Sequence, residues 1–134
     1  LADHAKPASH SNELYRGIID ANGSAVFNGK IMVRKDAQKT NAYQTNNNIL
    51  LSDDASANAK PQLEIFADDV KCSHGATTGQ INEDEIFYLR ARGIGEKEAR
   101  KMLLSAYAHE VIDEISFGQM RELVSARLEK KLSS

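Results

Sequence analysis

Residues 61–79, PQLEIFADDVKCSHGATTG, hold the only cysteine of the chain, a histidine two residues after it and three carboxylates, Glu64, Asp68 and Asp69. If 70–74 is extended, side chains alternate between faces, so Cys72 and His74 point to one side and Ser73 to the other. A thiolate and an imidazole so placed can meet one soft metal. They are also too few, because structural zinc normally takes four protein ligands and iron-sulfur clusters usually four thiolates. The missing ligands must come from elsewhere. The plainer reading is that Val70, Cys72 and His74, which share parity, all line a core, since a free cysteine usually behaves as a small buried hydrophobe. Cys-x-His without a second ligand pair is a weak signal beside paired CxxC motifs.

A chain of 134 residues suffices for one domain with a real core and a small appended subdomain. Its 17 Lys+Arg against 19 Asp+Glu give a formal net charge of -2, which argues against coating nucleic acid or an anionic membrane. One cysteine forms no intrachain disulfide, and no stretch approaches the roughly 20 apolar residues of a membrane span. A reducing cytoplasm is the expected compartment. The opening LADHAKPASHSNELYRG carries no targeting pattern and Leu1 is no natural start. A fragment of a longer parent, its N-terminal part missing, is expected.

From residue 13 to about 81, short apolar or β-branched runs at 14–19, 25–27, 31–33, 49–51, 63–66 and 70–72 are broken by Gly, Asn and Asp. Asn22-Gly23 and Asn28-Gly29 are expected to supply positive φ for tight corners. Hairpin meanders and parallel β-helices both fit. The polar stretches 40–48 and 52–58 are read as corners, with Asn46-Asn47-Asn48 stacking as a ladder on successive coils, which favours the β-helix. No clean fixed-period repeat is visible.

After Gly79 the period changes to about 3.6. Asn82 is an expected N-cap of a short helix that Gly93 stops. Glu96 opens a longer helix with an apolar stripe at Ala99, Leu103, Ala106, Tyr107, Val111 and Ile115. Ser116-x-x-Gln119 reads as a capping box for a third helix carrying Met120, Val124, Leu128 and Leu132 on one face. The expected division is 1–81 for the β part and 82–134 for a three-helix subdomain.

Taken together, AVFNGKIMV (25–33), AQKTNAYQTNNNILLSD (37–53), KPQLEIFADDVKCSHGATTGQI (60–81) and FYLRARGIGEKEAR (87–100) resemble the C-terminal part of the SufB/SufD family of iron-sulfur cluster assembly scaffolds. The likeness runs from about residue 11 to 115 and fades in the last helix. CSHGAT is similar to the SufD branch, where the SufB branch has a glutamate near the cysteine; here Ser73 and Gly75 stand at those positions. The resemblance implies a right-handed parallel β-helix followed by a helical subdomain, hence a mostly β fold with α. It implies a cytoplasmic, non-enzymatic scaffold that pairs with a SufB-like paralogue, docks a SufC-like ABC ATPase and can pair with itself as a dimer. No tightly bound cofactor is implied, only a transient iron-sulfur cluster at a shared interface.

By the same resemblance His74 matches a histidine of the nascent cluster site, ranked above Cys72. Leu63, Glu64, Phe66, Asp68 and Val70 fall near the edge where cores pair. Arg90, Arg92, Gly93, Ile94 and Arg100 surround a turn suited to ATPase docking, against the plainer reading of a solvated face. The rival class is a β-helix enzyme acting on polysaccharides through Glu64, Asp68 and Asp69; solvated edge residues are the plainer reading of those three. His4 and His10 read as surface histidines, and His109 as a partly buried hydrogen-bonding one. No GxxxxGKS phosphate loop occurs, so ATP is expected on a partner.

Overall fold

The computed structural model describes residues 1–133 and divides the chain into two compact units, Leu1–Gly79 and Gln80–Ser134. The first unit carries eight strands: β1 (Ala2–His4), β2 (His10–Ile19), β3 (Ser24–Phe27), β4 (Lys30–Val33), β5 (Asn41–Leu50), β6 (Ser56–Ala59), β7 (Gln62–Ile65) and β8 (Lys71–Gly79). They form three all-parallel sheets, ordered β1-β4-β7, β2-β5-β8 and β3-β6. Each strand pairs with the one about thirty residues on: Ala2 with Ile31, His10 with Asn41, Ser24 with Ser56, Gln62 with Lys30. The chain therefore makes successive circuits, β1 to β3, β4 to β6, then β7 and β8. Parallel pairing suits this connectivity, because each strand is separated from its neighbour by a full crossover. The period is one of register and not of residue identity, which is why no sequence repeat is visible.

Apolar residues of β4 and the corner after it form the dry centre. Ile31, Val33, Ala37 and Ala42 are wholly buried with Ala67, and Ala2, Leu63, Val70 and Cys72 pack partly against them. Burying Ile31 and Val33 contributes roughly 1.5–3 kcal/mol each. The rest of the interior is polar. Residues 40–48, read from sequence as a corner, are mostly the central strand β5, and its inward residues Gln44, Asn46 and Asn48 are buried. These amides survive burial by bonding one another and their neighbours: Asn48 Nδ2 donates to Asn46 Oδ1 at 2.8 Å and Gln44 Nε2 to Glu13 Oε2 at 3.0 Å. No asparagine ladder spans the circuits, since Asn46 lies beside Tyr15 and Ala76, and Asn48 beside Gly17 and Thr78. On the outer face Asn47 bridges three strands once its amide is turned by 180°, its oxygen then accepting from Arg16 Nη1 at 2.6 Å and its nitrogen donating to Thr77 Oγ1 at 2.9 Å.

The corners use other residues than expected. Among the described residues, positive φ falls at Ala8, Ala21, Lys39 and Gly93, so neither Asn-Gly pair supplies it. Gly29 has a different use. A Cβ there would run into the Gln44 amide, which crosses the interior to reach that backbone.

In the second unit, α1 (Glu83–Ala91) is capped by Asn82, whose side chain accepts from the Asp84 N–H at 2.9 Å, and Gly93 at φ 88° ends the turn after it. The helix α2 (Glu96–Ile112) buries Ala99, Leu104 and Ile112, so its stripe lies one residue beyond the expected Leu103 and Val111, and Ala106 is exposed. The expected capping box is absent: α3 (Gly118–Leu132) has Phe117 as N-cap with no side-chain cap. Met120 of its expected apolar face is 48% exposed, while Val124, Leu128 and Leu132 are half-buried. Ser105 Oγ and Lys101 Nζ of α2 hold Glu129 of α3 at 2.9 and 3.2 Å, and they keep its carboxyl below the ordinary value.

Candidate functional site at the outer strand

Residues 71–74 are extended, within β8, and register settles which way they face. Cys72 lies beside Ala42 and His74 beside Gln44, both inward residues of β5. The two side chains thus share the interior face, as their parity requires. Their surroundings differ sharply. Cys72 packs against the apolar centre, and burial pushes its thiol above the ordinary value, which disfavours the thiolate a metal needs. His74 is exposed. The reason is topological: β8 is the outer strand of its sheet and is paired on one side only among the described residues, so from Ser73 onward its inward face is open.

The column behind His74 runs Glu13, Gln44, His74 on adjacent strands of one face. Gln44 is 2% exposed and donates to Glu13 Oε2, which also accepts from Tyr15 Oη at 3.3 Å. The Tyr15 phenol is pushed up by burial and by the Glu13 charge. The remaining oxygens, Glu13 Oε1 and Gln44 Oε1, are buried without a donor. Residue-by-residue reading missed this column. The signal was present in the spacing of Glu13, Gln44 and His74, 31 and then 30 residues apart, but it acquires meaning only once the register is known.

Among the described residues no three His, Cys, Asp or Glu side chains gather closely enough to hold a metal ion. A cluster, as cargo, would find here one exposed imidazole and one half-buried thiol.

The other residues singled out from sequence scatter. Leu63 and Val70 turn to the apolar centre, and Phe66 is 63% exposed. Glu64 pairs with Lys30 at 2.5 Å, and Asp68 accepts from Gln38 at 2.7 Å. Two of the three carboxylates of the rival enzyme reading are therefore engaged in links between circuits, and Asp69 donates its backbone N–H to Gln38 Oε1 at 3.0 Å. His4 corrects an expectation: it is buried, 2.9 Å from Ser11 Oγ through Nε2, while His10 is exposed and His109 is half-buried near Asp113. In the helical unit, Arg90 meets Glu96 at 3.3 Å, Arg100 meets Glu83 at 3.1 Å and Glu96 at 3.5 Å, and Arg92 lies 4.6 Å over the Tyr88 ring. These arginines brace the α1–α2 corner around Gly93 and Ile94. The exposed aromatic side chains there, Phe87 and Tyr88, were not singled out from sequence.

Comparison with known proteins gives the family. The family model described as SUF system FeS cluster assembly, SufBD core domain, matches residues 1–107. The chain is 47% identical over 125 residues to an iron-sulfur cluster assembly SufBD family protein of Synechocystis, and 45% identical over 130 residues to the iron-sulfur cluster assembly protein SufD of Escherichia coli. It is 42% identical over 123 residues to the chloroplastic protein ABCI7 of Arabidopsis thaliana. These matches cover 90%, 97% and 91% of this chain but 28%, 31% and 26% of the relatives, so the chain spans under a third of their length. No helix among the described residues is long and apolar enough to cross a membrane.

Proposed function

This chain belongs to the SufBD core family of the SUF iron-sulfur cluster assembly system, and from that premise we propose that it is a SufD-type scaffold segment carrying half of a cluster-assembly site. The observation that carries the reading is the incomplete pair on β8: His74 open to solvent, Cys72 half-buried beside it, and no third ligand gathered near them among the described residues. A cluster held by a few ligands from each of two chains is secured only when both are in place, so a small displacement opens its coordination shell and permits transfer. The protein itself then acts as a template and catalyses no bond change.

In this reading the three parallel stacks are coils of a right-handed β-helix, with the helical subdomain starting at residue 82. The open side of β8 faces a SufB-like paralogue or a second copy, and Leu63, Glu64, Phe66, Asp68 and Val70 flank that contact. The braced corner of Arg90, Arg92, Gly93, Ile94 and Arg100, with Phe87 and Tyr88 exposed beside it, docks a SufC-like ABC ATPase whose closure supplies motion. In this reading the protein works in the cytoplasm.

The test is anaerobic reconstitution of the full-length protein with iron and sulfide, with and without the SufB-like and ATPase partners, followed by cluster absorbance. Cluster formation is expected only when the paralogue is present. Equal formation by the protein alone contradicts a shared site.

A further inference from the structure

We propose that Asn47 clamps the register of the outer strand β8 through Thr77 and thereby positions His74, acting from the opposite face of the sheet. The need for a clamp lies in the sequence of β8. Residues 73–79, SHGATTG, are exposed on both faces, include two glycines and hold no large apolar side chain that could choose a face. Pairing in a Gly-rich strand that is polar on both sides is weakly specified, and a slip of one residue turns every side chain to the other face. His74 would leave the interior side and a neighbour would take its place.

Two contacts oppose the slip, one on each face and one on each side of His74. Cys72 packs inward against the apolar centre. Further along, Thr77 is the register partner of Asn47, whose nitrogen donates to Thr77 Oγ1 at 2.9 Å. The amide orientation is set by Arg16: a guanidinium only donates, so it needs the Asn47 oxygen, which accepts from Nη1 at 2.6 Å. The nitrogen then also donates to the Asn46 carbonyl at 3.1 Å. Asn47 stands on β5, which is paired on both sides, so the clamp is braced from β2 and reaches onto the strand that has one neighbour among the described residues. A slip in one direction puts Ala76, which has no hydroxyl, beside Asn47; a slip in the other puts Thr78 there but turns Cys72 out of the apolar centre. Neither keeps both contacts. An outer strand opens locally at low cost, so a single side-chain bond changes how often it does.

The consequence for assembly rests on the reading of His74 as a ligand; the clamp does not. The experiment takes full-length protein free of cluster and follows amide exchange by mass spectrometry in peptides from β8 and β5. Thr77→Val, which keeps the shape and removes the hydroxyl, is expected to quicken exchange in β8 by about 3-fold or more, the order of one net hydrogen bond, and to leave β5 unchanged. Thr77→Ser keeps the hydroxyl and should exchange as the wild type does. Asn47→Leu should quicken β8 as well, and adding Thr77→Val to it should change nothing further. Circular dichroism reports whether each variant folds, and the two Thr77 variants decide the matter if Asn47→Leu does not. Exchange in β8 that ignores Thr77→Val, or that quickens equally in β5, overturns the proposal. In reconstitution with the SufB-like partner, Thr77→Val is expected to lower cluster yield about 3-fold and Thr77→Ser to keep it. Wild-type yield from Thr77→Val with β8 quickened overturns the positioning of His74. If His74→Ala assembles clusters normally while Thr77→Val quickens β8, the ligand reading falls and the clamp stands; if His74→Ala loses the cluster while β8 ignores Thr77→Val, the reverse holds.

Discussion

The second and third circuits of the β unit share one register yet occupy opposite conditions. The second, β4 to β6, lies between neighbours in the two three-stranded sheets, and its inward residues Ile31, Val33, Ala42 and Gln44 are at most 2% exposed. The third, β7 and β8, continues the same columns as Leu63, Ile65, Cys72 and His74, and these are half-buried or exposed. One backbone path thus stores stability where it is covered and exposes side chains where it is not. The difference also separates Cys72 from His74: two residues apart on one face, the first still reaches the apolar centre and the second does not.

The contrast breaks first if equivalent truncations cost the same. Ile31→Ala is expected to destabilise the β unit by about 3 kcal/mol, within the range for wholly buried side chains, and its register partner Leu63→Ala by about 1 kcal/mol. Urea unfolding measures both, and equal costs would mean that the third circuit is as well covered as the second. Glycines sharpen it next. Gly29→Ala forces a methyl against the Gln44 amide and is expected to cost about 2 kcal/mol, whereas Gly75→Ala on β8 meets nothing within 4 Å and should stay within about 0.5 kcal/mol.

Acid tests the opposite edge. The Arg34 guanidinium, hydrogen-bonded to Asp3 at 2.7 and 3.0 Å, holds that carboxyl below its ordinary 3.8 and ties the first circuit to the second. A depressed folded value means that the contribution is complete above 3.8 and is lost as pH falls through the lower folded value. Amide exchange in β1 should therefore quicken relative to β4 on acidification, and Asp3→Asn should remove that dependence. The pair is solvent-exposed, so the effect is small. Smallest is a reactivity: with its thiol pushed up by burial, Cys72 should alkylate with iodoacetamide at pH 8 a few-fold more slowly than a free thiol. A faster reaction would place it with His74 on the open side.

Sequence made the apolar strands legible, because β4 carries the unbroken apolar run 31–33, and Asn82 and Gly93 punctuate α1 by plain local chemistry. It concealed β5. Alternation of apolar and polar residues fails where the interior itself is built from Gln44, Asn46 and Asn48: Asn48 bonds Asn46 along the strand, and Gln44 finds Glu13 only after the strands align. The corners were misassigned for a related reason: Ala21 takes the positive φ that Asn22-Gly23 advertised. Cys72 and His74 were found by type and parity, but their unequal exposure depends on β8 being an outer strand, which no local window contains. The arginines near Gly93 read in sequence as a docking turn or a solvated face; Arg90 and Arg100 are held by Glu96 and Glu83 across the helix corner, and Arg92 lies over the Tyr88 ring.

The most direct test of the central claim is partner-dependent cluster assembly by full-length protein carrying His74→Ala or Cys72→Ala, followed anaerobically by absorbance. If the open end of the third circuit is the working half-site, His74→Ala lowers cluster yield by about 10-fold or more and Cys72→Ala by much less. Wild-type yield from His74→Ala, with a normal fold and partner binding, would contradict it.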